Sequence, residues 1–156
     1  MNVTAGTGIS AQGSVQSLGD LAMNAKGGDL TAAGAVSTAG NATLNTSGTL
    51  NLNGQTTVSK DATLTAANIT TQGVAVGGNL NATATQDLNT SAGQLNATYS
   101  SSAPALSVNG DATLKGANVT TANAVIGGTY SATGTTGLTT GGTAAYMATR
   151  RSPAAR

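Results

Sequence analysis

Apolar and polar residues alternate with a period of two, in short runs, along most of the chain. In Asp-Ala-Thr-Leu-Thr at 61–65, Ala62 and Leu64 fall on one side of an extended backbone while Thr63 and Thr65 fall on the other. Ile69, then Val74 and Val76, continue the apolar side in two further short segments. The same set recurs as Ala112, Leu114, Val119, Ala124 and Ile126, and again as Ala42, Leu44, Leu50, Leu52 and Val58. Gly, Asn and Ser fall between the segments, where a corner needs a bent or left-handed backbone. Each period therefore predicts three short strands joined by tight corners. A 3.6-residue apolar stripe is sustained nowhere, and Gly and Thr are too frequent for helices.

The periods repeat. Asp61–Gly78 laid over Asp111–Gly128 matches Asp-Ala-Thr-Leu, Asn, Thr-Thr and the closing Gly-Gly at an offset of 50. Related opening phrases at 40, 60, 78, 93, 110 and 128 are spaced by 20, 18, 15, 17 and 18 residues, with Gly19-Asp-Leu and Gly28-Asp-Leu upstream. One such unit cannot bury its apolar side alone, so stacking of units is required. The fold class expected is all-β: a parallel right-handed β-helix of about 15–20 residues and three short strands per turn. At ~4.8 Å per turn, about eight turns give a rod of roughly 40 Å. The core is expected at Leu44, Leu64, Ile69, Val74, Val76, Leu114, Val119 and Ile126, in a solenoid region over 1–145.

Composition first suggests something else. Thr, Ser and Asn fill 55 of 156 positions, charged residues are 7% and aromatic residues 2%, which is also how a disordered chain reads. The repeat turns this into the composition of a thin solenoid, whose interior takes Ala, Val, Leu, Ile and Thr. Charge is divided unevenly. Three Lys against five Asp leave 1–145 at −2, while Arg150, Arg151 and Arg156 make the last eleven residues +3. A basic, disordered tail is expected at 146–156. The body has neither the basic stripe nor the aromatics of a nucleic-acid binder. No stretch approaches the ~18–20 apolar residues of a membrane span, and the N-terminal residues show no signal peptide. An export signal, if used, belongs to a longer parent chain.

The phrases GGDLTAAG, GNATLNTSGTLNLNG, KDATLTAANITTQG and GGNLNATAT resemble the haemagglutinin repeats of filamentous haemagglutinin-like exoproteins, a class of two-partner-secretion adhesins and contact-dependent inhibition sticks. The resemblance covers about residues 13–143. It implies an internal segment of a secreted, cell-surface bacterial filament, exported by an outer-membrane partner transporter. Neither the class's secretion domain nor a toxin is visible here.

Chemistry-bearing residues are few. With no Cys and no His, thiol nucleophiles, Ser-His-Asp triads and ordinary zinc or haem sites are excluded, and neither cofactor nor catalytic residue is expected. Asp61 and Asp111 recur with the repeat and are expected at corners. They do not fit a Gly-Gly-X-Gly-X-Asp calcium nonapeptide. Three turns apart, at roughly 14 Å, they would be too far for the paired carboxylates of a polysaccharide-cleaving β-helix. Asn68 and Asn118 fall at equivalent corners, where side-chain amides can form a ladder between turns. Asn-X-Ser/Thr occurs at Asn2, Asn41, Asn45, Asn68, Asn81, Asn89, Asn96 and Asn118; corner Asn beside strand Thr explains most of it without glycosylation. Thr63 with Thr65, and Thr83 with Thr85, have the spacing of an ice-binding face, but the drifting period argues against a lattice match. Tyr99, Tyr130 and Tyr146 are too sparse to line a sugar groove. The function expected is structural and adhesive: rigid reach with many weak contacts to host glycans or matrix. The alternative is a spacer that binds nothing.

Overall fold

A computed structural model describes residues 1–92, 104–141 and 145–148. All of its regular structure is strand, and no helix occurs among the described residues. The first turn is β1 (Asn2–Ala5), β2 (Ile9–Ala11) and β3 (Val15–Ser17); the second is β4 (Leu21–Ala25), β5 (Leu30–Ala32) and β6 (Val36–Thr38). The third is β7 (Ala42–Thr46), β8 (Thr49–Leu52) and β9 (Thr56–Val58). The fourth is β10 (Ala62–Ala66), β11 (Asn68–Gln72) and β12 (Val74–Val76), and the fifth β13 (Leu80–Ala84), β14 (Asp87–Ala92) and β15 (Leu106–Val108). Thereafter strands run around corners: β16 (Ala112–Ala122) covers two sides, β17 (Ala124–Gly141) completes that turn and continues into a last one, and β18 (Ala145–Ala148) closes it.

Each strand pairs in parallel with its equivalent one turn later, giving three sheets wound as a parallel β-helix. On the first side the register steps by 20, 21, 20, 18, 32 and 18 residues. The step of 32 joins Leu80 to Ala112, so the opening at Gly93 starts no turn of its own. It begins an insertion whose residues 93–103 lie outside the described ones. Gly28-Asp-Leu likewise leads into β5, the second side of the second turn. The offset of 50 is two turns, and the rod has about six complete turns, roughly 30 Å at this rise, fewer than the eight counted from phrases.

Between the sheets the side chains form seven stacked columns. One runs Met23, Leu44, Leu64, Ala82, Leu114 and Ala132, and another Leu30, Leu50, Ile69, Leu88 and Val119, all buried. Val74, Val76 and Ile126 are buried on the third side. A third column mixes large and small residues: Leu21, Ala42, Ala62, Leu80, Ala112 and Tyr130. The second-to-third corner has left-handed backbone at Gly73 (φ 84°) and Asn123 (φ 49°), the two residue types that accept it most readily. At the far end β18 pairs Val125 with Ala145 and Ile126 with Tyr146. The last sheet therefore runs to Ala148, past the boundary at 145 drawn from lost alternation, because pairing uses backbone groups whatever the side-chain order. Arg150, Arg151 and Arg156 lie outside the described residues.

Candidate functional site: corner columns and outward rows

At the corner before each first-side strand from β4 to β16, one side-chain oxygen per turn accepts the N–H of the residue above it. Asp20 Oδ1 accepts from Asn41 N (2.7 Å), Asn41 Oδ1 from Asp61 N (3.2 Å), and Asp61 Oδ1 from Asn79 N (2.7 Å). Asn79 Oδ1 then accepts from Asp111 N (2.8 Å) and Asp111 Oδ1 from Thr129 N (2.6 Å). The chain Asp20, Asn41, Asp61, Asn79, Asp111, Thr129 is unbroken. Its alternation of acid and amide keeps carboxylates from lying directly over one another, which like charges disfavour.

A second column follows the next corner and is less complete. Asp29 Oδ1 accepts from Thr49 N (2.7 Å), Asn68 Oδ1 from Asp87 N (3.2 Å), and Asp87 Oδ1 from Asn118 Nδ2 (2.8 Å). Asn68 and Asn118 therefore share one column, with Asp87 between them. Asp61 and Asp111 share the other, with Asn79 between them. Two turns separate that pair, about 10 Å, rather than three turns and 14 Å, because Gly93 opens no turn. Each carboxylate already takes an N–H from the turn above.

These bonds account for the opening phrase. A Cβ on Gly40, Gly78, Gly110 or Gly128 would run into the side-chain oxygen of Asp20, Asp61, Asn79 or Asp111, and one on Gly48 into that of Asp29. Where glycine precedes the donor, the N···O distance is 2.6–2.8 Å. Where Lys60 or Gln86 precedes it, the distance is 3.2 Å. Part of this follows from charge-assisted carboxylate acceptors, yet Asn79, an amide accepting beneath Gly110, still reaches 2.8 Å.

The outward positions form continuous rows. The first side carries Thr43, Thr63, Asn81, Thr113 and Ser131 in one row and Asn45, Thr65, Thr83, Lys115 and Thr133 in the other. The second side carries Ser10, Thr31, Asn51, Thr70, Asn89, Thr120 and Thr139. Length variation is absorbed at corners and in the insertion, so the rows stay in register despite the drifting period. Thr83 stacks on Thr65 beside Asn81, while Thr85 lies beyond the end of β13. The rows are interrupted chemically instead, by Ala22 and by Lys115. Among the sequons, Asn41, Asn68 and Asn118 are engaged in the columns and Asn89 accepts from Ser91 N (2.9 Å). Asn96 and Tyr99 lie outside the described residues. Tyr130 is buried, its hydroxyl 3.0 Å from Thr121 Oγ1.

Open surface grooves among the described residues include one of about 230 Å³ beside Lys115, Thr133 and Thr135 and one of about 250 Å³ beside Thr57, Ser59, Ser107 and Asn109. Among the described residues no three metal-ligating side chains cluster, and no helix is long and apolar enough to cross a membrane. No family model, curated protein or solved structure matches the chain.

Proposed function

We propose that this chain is a stick-like structural segment of a longer exported bacterial filament of the haemagglutinin-repeat kind, without enzymatic activity. The observation that carries the reading is the unbroken stack: one repeat phrase sets a corner glycine, a corner acceptor and two inward residues. Its product is a rigid rod. Adhesion adds to this role through the rows of Thr, Asn and Ser on the first and second sides, each offering weak hydrogen bonds to host glycans or matrix. Many such sites on one rod gain by effective concentration. Few charges line those rows, so contact should depend little on salt.

The test is solid-phase retention of the 156-residue chain on glycan arrays, matrix proteins and whole cells at low and high salt. Salt-insensitive retention that falls when Thr63, Thr65 and Thr83 are replaced by Val supports the adhesive role. No retention anywhere leaves the spacer role. Turnover of a polysaccharide by the purified chain overturns the non-enzymatic reading.

A further inference from the structure

Among the described residues six Thr are buried; apart from Thr121, whose hydroxyl meets that of Tyr130, their hydroxyls fall into two groups. Thr38 Oγ1 donates to Gly19 O and accepts from Gly40 N (3.3 Å); Thr46 Oγ1 donates to Gly28 O and accepts from Gly48 N (3.2 Å). Those two close corners. Thr56, Thr71 and Thr90 instead bury hydroxyls that meet no protein partner, although each such group carries a desolvation cost.

The three differ in what lies above and below. Thr56 is alone in its column, between Val36 and Val74. Thr71 and Thr90 belong to a run. The register pairs Thr70 with Asn89 and, past a slip, Gln72 with Ala92, which sets the buried Thr71 against the Thr90–Ser91 bulge, where Thr90 is the buried member; it pairs Thr90 with Thr121 and Thr121 with Thr140. Thr121 Oγ1 reaches the buried Tyr130 hydroxyl, and Thr140 at the last turn is exposed. Four hydroxyls in successive turns thus form a file that begins at Thr71 and opens to solvent at Thr140. A bulge lies beside it: the pairing slips between Thr70 and Gln72, and Asn89 Oδ1 takes up Ser91 N–H and Ser91 Oγ–H (2.6 Å).

We propose that this file is a binding site for ordered water, with one molecule bridging Thr71 and Thr90 and a second bridging Thr90 and the Thr121–Tyr130 pair. Stacked hydroxyls one turn apart are separated by ~4.8 Å. A water hydrogen-bonded to both lies only a little off the line between them. Each bridging water finds at least two polar partners, as buried waters do, and the exposed end at Thr140 supplies a way in. Thr56 has apolar neighbours on both sides and offers no second partner, so it holds none.

The test compares three nearly isosteric substitutions in the full chain. Thr56→Val removes an unpaired hydroxyl and raises the melting midpoint by a few degrees. Thr71→Val or Thr90→Val deprives a water of a partner and lowers it by a similar amount. A rise for all three of the same size overturns the proposal. If a variant does not fold, a high-resolution crystal structure of the unmodified chain decides. A water within hydrogen-bonding distance of both Thr71 Oγ1 and Thr90 Oγ1 supports the site, and continuous contact of methyl groups with no water peak overturns it.

Discussion

The two corner columns occupy the same kind of place in the fold and are built to different standards. The first passes through six consecutive turns with no gap, from Asp20 to Thr129. The second has bonds between some turns only: Thr49 takes the place of an acceptor, and Gly137 ends the run above Asn118. In the first column glycine precedes the donor at four of five steps, and in the second at one of the two steps that use a backbone donor. The difference teaches that the recurring Gly-Asx phrase is a joint between turns, and that one complete joint per turn is enough to hold the register.

The largest effect expected from breaking this comparison is at Gly110. Gly110→Val puts a branched side chain against Asn79 Oδ1 and the Gly78 carbonyl (2.8 Å) and should cost about 2–4 kcal/mol in urea unfolding. Gly19→Ala at the start of the same column, with nothing within 4 Å, should change stability by less than about 0.5 kcal/mol. Equal losses at both sites would show that the glycines serve the backbone and not the joint.

Next in size is removal of an acceptor. Asn79→Ala leaves the Asp111 N–H without its partner and should cost about 1–2 kcal/mol, with faster hydrogen exchange at Asp111. Thr49→Ala in the second column, where the N–H bonded to Asp29 is kept, should cost less than half as much by the same measurement.

Asp61→Asn keeps an acceptor under Asn79 but removes the charge assistance, and about 0.5 kcal/mol is expected. The smallest change is Lys60→Gly. It should shorten the Asp61 N–H bond to Asn41 and slow exchange at that amide. Overall stability should move by less than about 0.5 kcal/mol, since the freedom of a new glycine offsets the gain.

Much of this was legible in the amino-acid order. The period-two runs mark the strands. The inward positions Leu44, Leu64, Ile69, Val74, Val76, Leu114, Val119 and Ile126 all sit in the core columns. The offset of 50 places Asn68 with Asn118, and Asp61 with Asp111, in common columns. The turn count was less legible. The phrase at Gly93 copies the one at Gly78 almost letter for letter, and only pairing of Leu80 with Ala112 separates a turn from an insertion. Members of the columns between the repeats were also missed. Asn79 and Asp87 stand in phrases that begin differently, and their equivalence rests on register. One signal was available: each ladder residue comes directly before an inward apolar one, as Asp20 before Leu21, Asp29 before Leu30, Asn79 before Leu80 and Asp87 before Leu88. The unpartnered Thr71 and Thr90 carried no signal, because β-branched Thr suits inward and outward strand positions equally.

The register across the insertion is the claim on which turn count, both columns and the hydroxyl file depend, and a paired-cysteine experiment reaches it directly. Asn81 and Thr113 are 32 residues apart and face each other on adjacent strands, with Cα atoms ~4.8 Å apart. That lies inside the range a disulfide can span. The double variant Asn81→Cys, Thr113→Cys should therefore form an intramolecular disulfide under mild oxidation, while Thr63→Cys with Thr113→Cys, two turns apart, should not. Failure of the first pair together with ready closure of a pair between Asn81 and residue 96 would place a turn at Gly93 and contradict the stacking described.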